Sequence, residues 1–137
     1  MHRSDWQNLA RMRLRESKAL ISASQWSGAY YLGGYAVEAG LKACLVRQFA
    51  ANTMPDKALV QKAHTHNLTE LVKLSGLEIS QNSAFTADPS FELRWAVTKD
   101  WNETSRYRVW SERDARDLVE AIANRQHGVL KWVRQHW

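Results

Sequence analysis

The longest apolar run of the chain extends from Trp26 to Val46, and only Glu38 and Lys42 carry charge within it. Its apolar residues fall on every side of a helical wheel, which predicts a helix buried in the middle of a bundle. The run is too long for a strand, and it is too polar and glycine-rich for a membrane span. We therefore expect a central helix that continues to about Phe49.

This run also contains a charged pair and most of the glycines of the chain. Glu38 and Lys42 are four residues apart in the favourable order, so we expect them to pair on one face. Such a pair is either structural or lines a polar site or an interface. An interior glycine costs a helix about 1 kcal/mol relative to alanine. We interpret the glycines as places where another helix backbone passes close by; they are Gly28, Gly33, Gly34 and Gly40.

Shorter helical patterns surround the central run, and their starts carry residues that cap helices. Asp56 to Ala63 is expected to form a short helix, and Asp88-Pro89 begins another with proline in its first turn. Gly76 followed by Leu77 is typical of a helix end. Capping-box patterns predict three further starts: Ser4 with Gln7, Asn67 with Glu70, and Ser111 with Asp114.

The remaining segments are predicted from their polarity and period. Residues 78–87 are polar and are expected to form a loop. The last helix is predicted to run unbroken from Glu112 to Gln135, which at about 1.5 Å per residue makes it roughly 36 Å long. On the helix that begins at Asp88, the predicted inner face consists of Leu93, Ala96, Val97 and Trp101.

Length and composition indicate one all-α domain covering residues 1–137, because no strand pattern, repeat or linker is found. The net charge of +5 permits an anionic partner, and the basic excess lies in residues 1–50 and 102–137. Cys44 is predicted to be a core residue. The first residues contain no apolar signal region, so we expect an intracellular, cytoplasmic protein with no membrane association.

His64 and His66 form an H-x-H pattern, but no acidic residue, cysteine or third histidine lies close to them in sequence. We therefore predict no metal site and no cofactor, and expect one of the two histidines to order the start of the next helix.

The segment Arg106-Tyr107-Arg108 is the best polar candidate in the chain. Arginine binds phosphate through its planar fork, and aromatic rings stack on nucleobases. In the alternative interpretation, Tyr107 and Trp110 anchor the segment to the core while both arginines are solvated. The sequence leaves these two readings open.

The run GAYYLGGYAVEAGLKACL, followed by HTHNLTELV and then by WNETSRYRVW before the last helix, resembles HEPN domains. The similarity spans nearly the whole chain. It implies an up-and-down bundle of four to five helices, and a homodimer with a polar groove at the subunit interface. Many HEPN proteins are metal-independent ribonucleases whose signature is an arginine followed, after four to six residues, by a histidine. No histidine of this chain has an arginine at that spacing, so the catalytic motif cannot be carried over.

The resemblance therefore implies a non-catalytic HEPN-like binding module for a nucleotide or RNA, acting as an accessory or regulatory subunit in a toxin–antitoxin or defence-type system. A minimal nucleotidyltransferase or another protein is the expected partner. One alternative is an endoribonuclease with a rearranged active site, in which His64 or His66 approaches Arg106 through the fold. Another is a purely protein-binding subunit. The candidate ligand-binding residues are Arg106, Tyr107, Arg108, Glu38, Lys42, His64 and His66.

Overall fold

The computed structural model describes residues 1–49 and 53–137, and over these residues every regular element is a helix. The predicted all-α class is thus confirmed for the described part of the chain. None of the helices there is both long enough and apolar enough to cross a membrane. The elements are α1 (Arg3–Ser22), α2 (Trp26–Val46), α3 (Lys57–Lys62), α4 (Leu68–Leu74), α5 (Glu78–Ala87), α6 (Pro89–Thr98), a 3-10 helix (Glu103–Tyr107), α7 (Glu112–Ala123) and α8 (Val129–Arg134).

Helix α2 is the centre of the fold, as its apolar run predicts. It packs against α1, α4, α7, α8 and the 3-10 helix, and most of its residues are buried. A tight turn connects α1 to α2, and α1 packs back along the central helix. Between the two helices, the Ser17 hydroxyl donates a hydrogen bond to the Ala29 carbonyl at 2.7 Å. The helix ends at Val46, short of the predicted Phe49. Residues 50–52, within the predicted connection from 51 to 66, lie outside the described residues.

The glycines of α2 make room for side chains, whereas we expected a neighbouring helix backbone. A Cβ atom at Gly34 would overlap the indole ring of Trp101. One at Gly40 would lie 2.9 Å from Val133 and 3.3 Å from Leu130, both on α8. Large residues that follow α2 in sequence therefore use these notches to approach the helix axis.

Most predicted helix ends are confirmed. The Asn67 side chain accepts a hydrogen bond from the Glu70 backbone at 2.9 Å, and Ser111 forms the full capping box with Asp114. Gly76 has φ = +69° and ends α4 with the bonds of a Schellman motif. The prediction for α1 is wrong: His2 is the N-cap, and its backbone N–H donates to the Asp5 carboxylate at 2.8 Å. A carboxylate accepts this bond better than the Gln7 amide assumed for a cap at Ser4.

The predicted loop at residues 78–87 is wrong, because this segment forms α5. Its serine, asparagine and threonine residues have low helix propensity, but tertiary packing overrides that preference. The Phe85 ring packs against that of Phe91 at an angle of 45°, with ring centroids 5.3 Å apart, and Gln81 is buried.

The predicted inner face of α6 is also wrong in part. Leu93, Ala96 and Val97 are exposed, with Leu93 71% accessible, while Trp101 is buried as expected. The face that packs inward consists of Phe91, Trp95 and Thr98. Both sets have helical spacing, and the larger aromatic surface occupies the core.

The predicted unbroken last helix is wrong as well, because α7 and α8 are separated by a turn at residues 124–128. The Asn124 side-chain oxygen accepts from the backbone N–H groups of Gln126 and His127 at 3.0 and 2.8 Å. A Cβ atom at Gly128 would overlap the carbonyl of Asn124. The apolar period continues on both sides of the turn, which hides the break in the sequence. The described part of the chain thus has eight α-helices, more than the resemblance implies.

Candidate functional site

One side of α2 carries a line of polar and aromatic side chains at Tyr31, Tyr35, Glu38 and Lys42. Steps of three or four residues keep side chains on one face of a helix, so these four form a continuous line. We call this line the α2 polar stripe. Residues from the α3–α4 connection and from the 3-10 helix pack along it, and they supply most of the other candidate residues.

The carboxylate of Glu38 is the most buried charge of the stripe, with the residue 3% exposed. Lys42 Nζ lies 2.9 Å from its Oε1, which confirms the predicted pair. His66 Nδ1 lies 3.0 Å from each carboxylate oxygen. Burial of a carboxylate is costly unless it is paired and hydrogen-bonded, and both conditions are met here.

His66 reaches Glu38 because it immediately precedes Asn67, the residue that caps α4. An ionised carboxylate only accepts hydrogen bonds, so Nδ1 of His66 carries the hydrogen. In the neutral form of this imidazole, Nε2 is an acceptor. The His66 side chain is 39% exposed and lies next to Tyr35, with the two ring centroids 6.3 Å apart.

The two tyrosines connect Glu38 to the 3-10 helix. Burial raises the pKa of Tyr35 above its usual value, and a hydrogen bond with Tyr31 and the charge of Glu38 act in the same direction. The Tyr35 ring packs edge-on against Trp101 at 4.9 Å. Hydrogen bonds to the hydroxyls of Tyr107 and Tyr31 raise the pKa of Arg106. We did not predict Tyr31 and Tyr35 as site residues, although their spacing from Glu38 was visible in the sequence.

The two arginines of the Arg106-Tyr107-Arg108 segment take different directions. Arg106 Nη2 donates to the Tyr107 hydroxyl at 2.5 Å, at the end of the stripe. Each guanidinium lies over an aromatic ring: that of Arg106 is 4.6 Å from the Tyr107 centroid, and that of Arg108 is 4.4 Å from the Trp110 centroid. Trp110 anchors the segment by stacking on Tyr30 at 3.7 Å, while Tyr107 is 74% exposed. The structure therefore places Arg106 against Tyr31 at the end of the stripe, with Tyr107 beside it, while Arg108 lies against Trp110.

The opposite end of the stripe opens into a cleft of about 270 Å³ that Lys42 and His64 line together. Lys42 Nζ lies 5.4 Å from the ring centroid of Trp6, within the range of a cation–π contact. The rest of the lining is mainly apolar and comes from α2 and α3. His64 thus borders this cleft at the Lys42 end, whereas His66 lies on the stripe itself.

Across residues 1–49 and 53–137, no group of three or more His, Cys, Asp or Glu side chains is arranged to hold a metal ion. Burial raises the pKa of Cys44 to about 12, which matches the predicted core role.

The chain matches no protein-family model, and no curated protein or solved structure is significantly similar to it.

Proposed function

We propose that the chain is a HEPN-like binding module that holds a nucleotide or single-stranded RNA along the α2 polar stripe. The observation that carries the proposal is the placement of an exposed cation and an exposed aromatic ring, Arg106 and Tyr107, at one end of a line of hydrogen-bonding groups. Arg106 would contact a phosphate, and Tyr107 would stack on a base. His66 Nε2 would accept a hydrogen bond from a ribose hydroxyl.

The buried part of the stripe has a supporting role in this proposal. Lys42 and Glu38 hold His66 in one orientation, and Trp101 packs beneath Tyr35. A binding surface held in place before the ligand arrives loses less conformational entropy on binding. In this proposal the exposed residues would contact the ligand, and the buried residues would hold the exposed ones in position.

A titration of labelled single-stranded RNA, and separately of ATP, tests the proposal at low and moderate salt. Arg106→Gln should weaken binding by roughly tenfold and should reduce the salt dependence by about one counterion. Arg108→Gln is the matched control, since it removes the same charge two residues away, on the side of Trp110. The phosphate role of Arg108 stays a prediction until this comparison is made.

Three outcomes of that titration have different meanings. A loss confined to Arg106→Gln supports the stripe as the binding surface. Equal losses in both variants would assign the whole segment to the ligand, as the sequence suggested. Binding that neither variant changes would remove the segment from the proposal and favour the purely protein-binding subunit.

A second candidate is a metal-independent endoribonuclease with a rearranged active site. The favouring observation is that His66 and Arg106 lie along one stripe although no sequence motif links them. A histidine nitrogen can act as general base toward a ribose 2′-hydroxyl, and a nearby arginine can stabilise the developing charge. RNA cleavage in the presence of a chelator, lost in His66→Gln but kept in His64→Gln, would support this candidate.

The assignment to an accessory or regulatory subunit of a toxin–antitoxin or defence-type system, with a nucleotidyltransferase or other protein partner, belongs to the same proposal. So does the homodimer. The apolar composition does not itself call for a dimer, because the chain's own helices cover α2 and each of the tryptophans is buried or half-buried. The dimer therefore rests on the family resemblance, and light scattering at micromolar concentration tests it against the monomer mass of 15.8 kDa.

A further inference from the structure

A second polar region lies where α1 meets the turn between α7 and α8. It is a cleft of about 420 Å³, and we call it the basic cleft. Leu14, Ile122 and Leu130 give it an apolar floor. Its lining includes four cationic side chains and no acidic one, and the cations are Lys18, Arg125, Lys131 and Arg134.

All four cationic residues are exposed, and within residues 1–49 and 53–137 none of them forms an ion pair. Lys131 Nζ donates to the Gln126 carbonyl at 3.0 Å. Arg134 lies over the Trp137 ring at 5.6 Å. These contacts orient the two side chains but neutralise neither charge. The cleft therefore concentrates positive charge that the protein leaves uncompensated.

Two carboxylates on the helices that form the cleft pair with cations outside it. Glu16 on α1 pairs with Arg13 at 2.9 Å. Glu120 pairs with Arg94 of α6 at 2.8 Å, and it also accepts a hydrogen bond from Asn124 at 2.9 Å. Neither carboxylate lines the cleft, so its positive charge is available to a ligand.

The basic cleft and the α2 polar stripe lie on opposite sides of α2. Gly40 of α2 faces Leu130 of the cleft floor, and Lys42 of the stripe is two positions further along. Two helical positions correspond to a rotation of about 200°, which separates the two regions across the helix. A ligand in the cleft would therefore not contact the stripe.

We infer that the basic cleft binds a ligand that carries a chain of linked phosphates. A single phosphate group is small for a cleft of about 420 Å³ whose cations are contributed by α1, the turn and α8. A triphosphate chain carries several adjacent charges and can contact all of them through charge-assisted hydrogen bonds. Its source is either an inorganic polyphosphate or a nucleoside triphosphate, whose base would lie on the apolar floor. The inference does not depend on the function proposed for the stripe.

Calorimetric titration at low salt tests the inference with three probes: inorganic tripolyphosphate, ATP and AMP. Tripolyphosphate or ATP should bind the wild-type chain at least about tenfold more tightly than AMP, since each charge-assisted contact contributes substantially to affinity. Tighter binding of ATP than of tripolyphosphate would identify the nucleotide as the source. Equal binding of the two would identify the phosphate chain alone.

The double variant Arg125→Gln/Lys131→Gln should lose roughly tenfold or more of the affinity for tripolyphosphate. The matched control is Lys99→Gln/Arg113→Gln, which removes the same net charge from exposed positions of α6–α7 and should bind as the wild type does. Arg106→Gln should also leave tripolyphosphate binding unchanged, so failure at the stripe is distinguishable from failure at the cleft.

Several results would overturn the inference: no binding of tripolyphosphate or ATP by the wild type, equally tight binding of AMP, or equal losses in the cleft variant and its control. The variants replace exposed side chains, and urea unfolding checks that each retains its fold. Tripolyphosphate binding lost only in the cleft variant would establish the site.

Discussion

The α2 polar stripe and the basic cleft both contain several charged groups, but they differ in how those charges are compensated. In the stripe, the Glu38 carboxylate is held between Lys42 and His66. In the cleft, the cations have no carboxylate among them. The stripe is partly buried, whereas the charges of the cleft are at the surface.

This difference indicates two ways in which one small helical domain can prepare polar groups for a ligand. Paired charges hold each side chain in one direction but largely cancel each other's electrostatic potential. The stripe would therefore recognise a ligand mainly through the fixed positions of its hydrogen-bonding groups. Unpaired cations repel each other and attract anions from a distance. The cleft would therefore attract a ligand mainly through its positive electrostatic potential. Removal of a charge should therefore have opposite effects on stability in the two regions.

The largest expected effect follows from Glu38→Gln. The change leaves Lys42, whose side chain is 12% exposed, without its partner. Loss of one member of a buried pair is strongly destabilising, and here part of the cost is relieved because the lysine can extend toward solvent. We expect the free energy of unfolding in urea to fall by about 2–4 kcal/mol.

Glu112→Gln is the control for that experiment, because it removes a carboxylate from an i, i+4 pair whose side chains are more than half exposed. Its effect should stay below about 0.5 kcal/mol. If Glu38→Gln costs no more than this control, then the stripe is not a compensated buried network and the contrast with the cleft disappears.

A smaller loss of stability is expected at acidic pH, through the ion pair between Glu120 and Arg94 of α6. The hydrogen bond from Arg94 lowers the pKa of Glu120 below its usual value of 4.5. Because the folded-state pKa is lower than the unfolded one, the stabilisation is complete above pH 4.5 and is lost as the pH falls through the folded-state pKa. With Glu120 55% exposed, the contribution should be below about 1 kcal/mol.

Urea unfolding of the wild type and of Glu120→Gln between neutral and acidic pH measures this contribution. The difference between the two proteins should shrink toward acidic pH. A difference that is constant over the whole range would show that the ionised form of Glu120 does not stabilise the fold through Arg94.

The smallest effect, and the one of opposite sign, is expected from Arg125→Gln in the cleft. Removal of one of several neighbouring positive charges relieves repulsion, so stability should rise by about 0.3–0.5 kcal/mol at low salt and by less at high salt. Arg113→Gln instead removes a weak pair with Asp117 at 3.8 Å and should be neutral or slightly destabilising. A loss of stability in Arg125→Gln would mean that the cleft contains a compensating group.

The parts of the fold that depend on local sequence were predictable. The caps at Asn67, Asp88 and Ser111 involve neighbours within three residues. Helix α2 is predicted by the length of its run and by apolar residues on every side of it. The polar sequence of α5 predicts a loop, because the contacts that this helix makes with the rest of the fold, such as that of Phe85 with Phe91 of α6, are not visible in its own residues. The break at residues 124–128 was missed because the turn preserves the apolar period on either side.

The candidate site shows the same limit. The Glu38–Lys42 pair follows from helical spacing, but the contact of His66 with Glu38 spans 28 positions and requires the fold. The basic cleft depends on how α1 docks against the α7–α8 turn, since Lys18 and Arg125 are far apart in sequence. The basic excess of the sequence lies in residues 1–50 and 102–137, and the residues that line the cleft come from these two segments.

The Trp101 ring, seated in the notch at Gly34, has a consequence for motion. Trp101 is 1% exposed and lies two residues before the 3-10 helix that carries Arg106. That helix cannot slide along α2 unless the ring first leaves the notch, and this would open the core. Backbone amides near Trp101 should therefore exchange their hydrogens as slowly as those of α2, although they belong to a surface connection. On the millisecond timescale Arg106 would then swing only about its own side-chain bonds, while its backbone moves with the central helix as one body.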